Sequence, residues 1–197
     1  MPIISGAVRA NTSVPDARYL ELDGLVEIRP QRFSDERGFF SEVWREDWLR
    51  ELGLDTRFVQ DNHSHSRSRG VLRGMHFQKP PVAQDKLVRA ARGAIFDVAL
   101  DVRPGSPTFG HWAGVILSAA DWNQLFIPKG FAHGFVALED DTEVLYKVSE
   151  LYSPEHERTV RFNDPALGID WPVDPKDLIV SPKDLTAPLL FEIETGF

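Results

Sequence analysis

The 197-residue chain has no cysteine, which excludes disulfide bonds, thiolate metal ligands and a cysteine nucleophile. No apolar run approaches the ~18 residues of a membrane-spanning helix, and the first 20 residues lack a basic segment followed by a continuous apolar core. Basic residues are in the minority, with 22 Lys and Arg against 30 Asp and Glu, which disfavours nucleic-acid binding through bulk charge. These absences predict a cytoplasmic protein with no membrane and no nucleic-acid partner.

The remaining composition is that of an ordinary globular protein, with 42% hydrophobic and 26% charged residues. The length suits one domain with its own core. Residues 1–21 carry Asn, Thr, Ser and Pro between short apolar pieces, so we expect an N-terminal arm there. Residues 22–197 are then expected to form a single domain that includes a Pro- and Asp-rich C-terminal tail.

Short segments rich in Val, Ile, Phe and Leu follow one another between Gly- and Pro-containing turns. Residues 94–102 alternate strictly between two faces, which is typical of a half-buried strand. Only residues 44–53, in which Trp44, Trp48 and Leu52 are spaced by four, have a helical pattern. About ten short strands with almost no helix predict an all-β fold, either an antiparallel sandwich or a barrel.

Positive charge is concentrated in one part of this acidic chain. From Asp61 to Gly93 there are only two acidic residues. The basic residues of this segment are Arg67, Arg69, Arg73, Lys79, Lys86, Arg89 and Arg92. Such a patch suits an anionic small molecule, because arginine binds phosphate oxygens in bidentate geometry. The alternative is a solvated face whose charge is balanced by acidic neighbours in space.

The strand-like segment GVLRGMHFQ, residues 70–78, contains a candidate general base. Strict alternation places His76 on one face with Leu72 and Gln78, and Arg73 on the other face. If the first face lines a barrel interior, His76 points into a cavity, where an imidazole can take up a proton near neutral pH. The alternative is a histidine whose role is confined to packing or to the surface.

A metal site is disfavoured by the residue two positions after His76. Metal-binding cupins carry two histidines in an H-x-H pattern, but here the second position holds Gln78. The later pattern P-x-G-x-x-H, formed by Pro128, Gly130 and His133, supplies only one more histidine. Two histidines are too few ligands, so we predict a cupin-like barrel without metal.

Several long, ordered motifs resemble one enzyme family, the dTDP-4-dehydrorhamnose 3,5-epimerases. They are DERGFFSEVW (35–44), FVQDNHSHSRSRGVLRGMHFQ (58–78), Lys86, FIPKGFAHGFVALEDDTEVLYKVSELYSPEHERTVRFNDPALGIDWP (126–172) and SPKD (181–184). The resemblance covers about residues 22–190 and implies a cupin-like jelly-roll, an antiparallel β-barrel with a few short helices. Small departures are Met75, where Leu is usual, and Phe162, where Trp is common.

The resemblance implies a reaction and the residues that carry it. The family inverts carbons 3 and 5 of dTDP-4-keto-6-deoxyglucose, giving dTDP-4-keto-L-rhamnose, and needs no cofactor. By similarity, His76 is the base, and Asp184 is its carboxylate partner. Lys86, with Arg73 beside it, stabilises the oxyanion that develops on oxygen 4, and Tyr146 returns a proton from the opposite face.

Further positions of the resemblance concern binding of the nucleotide. Besides Arg73, the substrate-binding residues that it implies are Arg37, Glu42, Gln60, Asp61, Asn62, His133, Glu157 and Lys183. Family members are homodimers whose early strands cross to the partner, so Arg37 and Glu42 are expected to serve the neighbour's pocket. The ligand implied is a dTDP-linked nucleoside-diphosphate deoxysugar.

Other functions remain open at this point. One is an epimerase that inverts carbon 3 only, and another is a 3,4-ketoisomerase acting on a related nucleotide deoxysugar. A third is a cupin that binds sugar nucleotides without catalysis, which would not need His76, Asp184 or Tyr146. A metal-dependent cupin is disfavoured by Gln78.

Overall fold

The computed structural model describes residues 14–197, and most of the predicted N-terminal arm, residues 1–13, lies outside the described residues. Its strands are β1 (Asp16–Tyr19), β2 (Val26–Arg29), β3 (Phe33–Asp35), β4 (Gly38–Phe40), β5 (Gln60–Ser66), β6 (Val71–Gln78), β7 (Lys86–Arg92), β8 (Ala94–Asp101), β9 (Trp112–Ser118), β10 (Gln124–Ile127), β11 (Phe131–Ala137), β12 (Thr142–Val148), β13 (Glu157–Thr159) and β14 (Ile179–Val180). The helices are α1 (Glu46–Glu51) and α2 (Pro182–Leu185), with two 3-10 turns, Pro175–Asp177 and Leu190–Glu192. Within the described part no helix is long and apolar enough to cross a membrane.

The strands form two mainly antiparallel sheets that pack face to face. The first sheet has the order β1-β2-β10-β7-β12-β5, and the second has the order β13-β6-β11-β8-β9, with β14 added in parallel to β6. Strands β3 and β4 form a separate hairpin. The predicted all-β, cupin-like jelly-roll architecture is thereby confirmed.

The apolar residues fall into layers that the strand alternation sets. Between the sheets, the interior is filled by residues such as Leu25, Val88, Ile95 and Phe131. Helix α1, which begins two residues later and ends two residues earlier than the helical pattern predicts, covers the outer face of the first sheet with Leu49. The outer face of the second sheet is covered by the C-terminal segment.

Strand β6 contains a bulge that corrects the strict alternation expected from its sequence. His76 lies opposite His133, but Arg73 lies opposite Phe135, so the register shifts by one residue between the two pairs. Directly opposite residues share a face of the sheet, and the extra residue of a bulge changes which face the following residues occupy. Arg73 therefore lies on the same, inward face as His76, whereas the sequence pattern placed it on the other face.

The bulge brings two backbones close together at Gly74. This residue has a φ of +129°, and a Cβ atom added to it would lie 2.4 Å from the Cα atom of Gly134 on β11. No side chain can be accommodated at that distance, so glycine is required for the close approach of the two strands.

A buried carboxylate closes the end of β8. Asp101 is fully buried and accepts hydrogen bonds from Arg103 Nε at 2.9 Å, Ser106 Oγ at 2.6 Å and Thr108 Oγ1 at 2.7 Å. Burial alone would raise the pKa of this carboxyl, but the hydrogen bonds outweigh it and lower the pKa to about 2. The charged form of Asp101 thus holds the loop that leads to β9.

Asp101→Asn should destabilise the fold by about 2–3 kcal/mol at neutral pH, because the charge-assisted hydrogen bonds are lost. Since folding lowers the pKa of Asp101 from 3.8 to about 2, the stabilisation is present above about pH 4 and disappears as the pH falls towards 2. Urea unfolding at several pH values measures this. The gap between wild type and variant should close in acid, whereas Asp55→Asn, at an exposed position, should leave stability unchanged. A gap that does not depend on pH would contradict the assignment.

Candidate active site

A cavity of about 540 Å³ lies between the two sheets. It is lined from the second sheet by β6, β11 and β13, from the first sheet by β5, β7 and β12, and from the C-terminal segment by β14 and α2. The predicted site residues that line it are Arg73, His76, Lys86, His133, Tyr146, Glu157, Lys183 and Asp184. The fold thus brings all four predicted catalytic residues into one cavity.

His76 and Asp184 form a hydrogen-bonded pair in this cavity. His76 Nε2 lies 2.7 Å from Asp184 Oδ1, and the Asp184 side chain is almost fully buried. Burial tends to raise the pKa of Asp184, but the hydrogen bond from His76 prevails and lowers it. An ionised carboxylate accepts a hydrogen bond from Nε2–H, so in the neutral ring Nδ1 of His76 is the nitrogen without a proton.

The position of Asp184 depends on how the C-terminal segment docks. Strand β14 pairs with β6 at Val71 and Leu72, which brings the following helix α2 against the same strand. Ser181 begins this helix, and its Oγ accepts a hydrogen bond from the backbone N–H of Asp184 at 3.2 Å. A four-residue helix with a serine cap is therefore enough to aim Asp184 at His76.

Lys86 extends from the first sheet to the second. Its Nζ donates a hydrogen bond to the backbone oxygen of His76 at 3.1 Å, and only 7% of the residue is exposed. Burial lowers the pKa of Lys86 to about 8, while Asp97 and Glu157 partly oppose this effect. At neutral pH the ammonium remains charged inside a largely apolar barrel, so it is a strong electrostatic group.

A second histidine–carboxylate pair lies beside the first. His133, opposite His76 in the ladder between β6 and β11, places Nε2 2.7 Å from Asp97 Oδ1, and both side chains are buried. Burial lowers the pKa of His133, against the opposing effect of Asp97. The alternation of residues 94–102 placed Asp97 with Asp101 on one face of a half-buried strand, without identifying that face as the inward one, and no motif marked Asp97 as a site residue.

Tyr146 occupies the wall opposite His76. It lies on β12 of the first sheet, whereas His76 lies on β6 of the second. Burial raises the pKa of the Tyr146 phenol, and Glu157 adds to the rise while Arg73 opposes it. The phenol therefore keeps its proton at neutral pH and can serve as a donor.

At the edge of the cavity, Glu157 links two other side chains. Lys183 on α2 forms an ion pair with its carboxylate, and Tyr152 Oη donates a hydrogen bond to Glu157 Oε2 at 3.2 Å. Sequence reasoning missed Tyr152 as a cavity residue because it ends an apolar run that reads as one strand. In the structure β12 stops at Val148, and Tyr152 lies in the loop that follows.

The other predicted binding residues lie outside this cavity. Arg37, on the β3–β4 hairpin, has an 84% exposed side chain paired with Asp35, and Glu42 pairs with Arg45. On β5, the residues are Gln60 and Asn62, hydrogen-bonded to each other at 2.7 Å, and Asp61, whose carboxylate lies 2.8 Å from Lys147 Nζ. Within a single chain these five residues do not line the cavity that contains His76.

Gln78 is occupied by backbone contacts. Its Nε2 donates to the carbonyl oxygens of Val82 at 2.8 Å and Leu151 at 3.2 Å, and its Oε1 accepts from the N–H of Ser153 at 2.7 Å. Between residues 14 and 197, no group of three or more His, Asp and Glu side chains is arranged to hold a metal ion.

Comparison with known proteins gives close matches along nearly the whole chain. The family model described as dTDP-4-dehydrorhamnose 3,5-epimerase matches residues 19–192. A dTDP-4-dehydrorhamnose 3,5-epimerase of Sinorhizobium fredii is 51% identical over 185 residues, which cover 92% of this chain and 94% of that protein.

Solved structures agree with these matches. A dTDP-6-deoxy-D-glucose-3,5-epimerase from Legionella pneumophila, in complex with dTDP-4-keto-L-rhamnose, superposes with a TM-score of 0.87 at 47% identity, covering 91% of this chain and 94% of its own. A 3′-monoepimerase from Streptomyces bikiniensis, in complex with dTDP-quinovose, has a TM-score of 0.81 at 38% identity, with coverages of 87% and 86%.

Lys86→Met should weaken the dependence of the free energy of unfolding on pH in the alkaline range. Folded Lys86 has a pKa of about 8 instead of 10.5, so between these values the unfolded chain binds more protons. The folded wild type then gains stability as the pH rises, by up to about 1.4 kcal/mol per pH unit. Urea unfolding of wild type and variant from about pH 7.5 to about pH 10 measures this gain. Lys129→Met, at an exposed position, serves as the control. If the free energy of unfolding depended equally on pH in wild type and in Lys86→Met, burial would not lower the pKa of Lys86.

Proposed function

The chain belongs to the dTDP-4-dehydrorhamnose 3,5-epimerase family, and we propose that it converts dTDP-4-keto-6-deoxyglucose into dTDP-4-keto-L-rhamnose without a cofactor. The observation that carries this proposal is the His76–Asp184 pair on one wall of a cavity whose opposite wall presents Tyr146. The ketone at carbon 4 acidifies the hydrogens on carbons 3 and 5. Inversion then needs a base, a group that stabilises the enolate, and an acid on the opposite face.

His76 is the proposed base. Its hydrogen bond to Asp184 supports this role, because the carboxylate fixes the ring and stabilises the imidazolium that forms when a carbon-bound proton is taken up. The base needs one free ring nitrogen, and the arrangement leaves Nδ1 for it. Once protonated, the same group returns its proton or exchanges it with solvent.

Lys86 and Arg73 are the proposed stabilisers of the enolate. Both line the cavity on the side of His76, Arg73 because of the bulge in β6 and Lys86 through its reach across the barrel. Negative charge that develops on oxygen 4 is stabilised most strongly by a fixed cation in surroundings that exclude water. The burial of Lys86 supports this role.

Tyr146 is the proposed acid. A proton delivered from the side of His76 restores the starting configuration, whereas one delivered from the opposite wall inverts the carbon. The position of Tyr146 on the facing sheet and its raised pKa support a protonated donor there. Two successive inversions, at carbon 3 and carbon 5, use the same pair of groups.

The nucleotide requires more than one chain in this proposal. Arg37, Glu42, Gln60, Asp61 and Asn62 are the remaining proposed binding residues, and they lie outside the cavity of their own chain. The hairpin of β3 and β4 also exposes three phenylalanines, Phe33, Phe39 and Phe40. A homodimer in which this hairpin reaches the neighbour's cavity accounts for the position of Arg37 and Glu42 and for the exposed phenylalanines.

Within the cavity, His133, Glu157 and Lys183 complete the proposed substrate contacts. The absence of cysteine is compatible with a cytoplasmic protein, which is the location we propose.

A second candidate function is inversion at carbon 3 alone. The similarity to the 3′-monoepimerase from Streptomyces bikiniensis favours it as the alternative. The two functions share a base and an enolate, so they differ only in whether carbon 5 also reacts.

The direct test is to incubate the purified protein with dTDP-4-keto-6-deoxyglucose and to determine the product by NMR, with heat-denatured protein as control. The proposal expects configurations at carbons 3 and 5 that are both inverted. A product inverted only at carbon 3 supports the second candidate, and unchanged substrate refutes both.

His76→Asn should abolish exchange of the carbon-bound protons with heavy water, by at least the factor of about 10² to 10⁴ that a positioned base supplies. Binding of dTDP should remain nearly intact, because the proposed nucleotide contacts are untouched. Mass spectrometry measures the exchange and calorimetry measures dTDP binding. As a matched control, His63→Asn changes an exposed histidine paired with Glu143 and should behave as wild type. Exchange at the wild-type rate in His76→Asn would remove His76 from the mechanism.

Tyr146→Phe should separate proton exchange from inversion. Exchange through His76 should persist, while net inversion at one or both carbons falls by about 10²- to 10⁴-fold, because the acid on the opposite face is missing. The ring remains, so loss of stability should stay near 1 kcal/mol. Mass spectrometry and NMR on the same sample measure the two effects. If exchange and inversion fall together, Tyr146 only positions the substrate, and if neither falls, the residue is a packing aromatic.

A further inference from the structure

A buried acid that the proposed mechanism does not use lies next to the reacting groups. Asp97 has no exposed surface and faces inward from β8. Its neighbours on that face are apolar, including Ile95 and Ala99. Burying a carboxylate in such surroundings costs free energy unless the charge is paired and hydrogen-bonded.

Only one oxygen of Asp97 has a hydrogen-bond partner among the described residues. Oδ1 lies 2.7 Å from His133 Nε2, whereas Oδ2 is buried without a hydrogen bond. No cation in this part of the chain forms an ion pair with Asp97, so its negative charge is not neutralised by direct contact. In a low-dielectric interior such a charge acts on every other charged group of the cavity.

The hydrogen bond determines which nitrogen of His133 carries the proton. A carboxylate only accepts, so Nε2 must donate to it. Burial opposes protonation of the ring, and Nδ1 therefore keeps its lone pair. Because His133 lines the cavity, this nitrogen is available to accept a hydrogen bond from a hydroxyl group of a ligand.

The charge of Asp97 also bears on Lys86. Both residues face inward from facing sheets, Lys86 on β7 and Asp97 on β8. The Nζ of Lys86 has a hydrogen bond to a backbone oxygen of His76 and no ion pair within the described residues. Attraction to Asp97 is the largest of the effects that favour the charged form of Lys86, followed by attraction to Glu157.

We propose that Asp97 is a positioning residue for the proposed reaction: its buried carboxylate fixes the tautomer of His133 and keeps Lys86 protonated in front of the substrate. The role of Asp97 in the reaction rests on the proposed function, because it presupposes the epimerisation. Asp97 does not itself touch substrate, because His133 stands between it and the cavity.

The charged and titratable groups around Lys86 come from several elements. They are Arg73 and His76 on β6, Asp97 on β8, His133 on β11, Tyr146 on β12, Glu157 on β13, and Lys183 and Asp184 on α2. Among them, Asp97 and then Glu157 favour the protonated lysine by their charge. Asp97 is fully buried and Glu157 is partly exposed, so loss of the charge on Asp97 removes the larger and less screened of these two attractions.

The first test uses the unmodified protein and needs no substrate. In ¹⁵N NMR spectra at neutral pH, His133 should carry its proton on Nε2 and be neutral, because burial lowers its pKa below the ordinary value. A proton found on Nδ1, or a doubly protonated ring at neutral pH, overturns the assignment to His133. This measurement stands even if a variant of Asp97 does not fold.

The second test compares Asp97→Asn with Asp101→Asn. Both changes replace a buried carboxylate of β8 by an amide, but Asp101 lies in the loop network outside the cavity. NMR titration of the Lys86 ammonium should give a midpoint lower by about one pH unit or more in Asp97→Asn. The midpoint in Asp101→Asn should equal that of wild type. Equal midpoints in all three proteins would reduce Asp97 to a structural residue.

Kinetics then connects this titration to the reaction. In Asp97→Asn the alkaline decline of kcat should move to lower pH by the same amount as the Lys86 midpoint, with unchanged affinity for dTDP. If the alkaline decline of kcat stays at the same pH while the titration midpoint of Lys86 moves, Asp97 has no role in the reaction. If the wild type gives no product, the proposed function fails, whereas the NMR results still decide the tautomer and the charge.

Discussion

The hydrogen bond between His76 and Asp184 joins two parts of the chain that are 108 residues apart, and the candidate site depends on it. It forms only because β14 docks in parallel on β6 and presents the short helix α2 to the cavity. The same docking covers the outer face of the second sheet and places Lys183 at the edge of the cavity. The C-terminal segment is thus part of both the core and the site.

Burying charged side chains inside the barrel costs free energy, and the fold offsets this cost to different degrees at different residues. At Asp101, the carboxylate is surrounded by donors that stabilise its charge, which makes it a structural element. At Lys86 and Asp97, burial is only partly compensated: the charge of Lys86 faces the cavity, and the charge of Asp97 lies behind His133. Two acids on one strand, four residues apart, therefore differ in how many donors stabilise their charge.

Sequence reasoning was most successful where one physical rule acts alone. The alternation of residues 94–102 and the absence of long helical patterns predicted the all-β fold, and the motifs predicted eight residues that line the cavity and five that do not. The face of Arg73 was wrong because the bulge in β6 depends on the contact of Gly74 with a distant strand. Asp97 went unnoticed because its hydrogen-bond partner, His133, is 36 residues away in the sequence. Tyr152 went unnoticed because a loop separates it from its partner, Glu157.

In the proposed mechanism, one base and one acid on facing walls invert two carbons of the same sugar. A deuterium count on the product formed by the wild-type protein in heavy water, resolved by position, tests this directly. Deuterium is expected at both carbon 3 and carbon 5. Deuterium at carbon 3 alone, or at neither carbon, would contradict it.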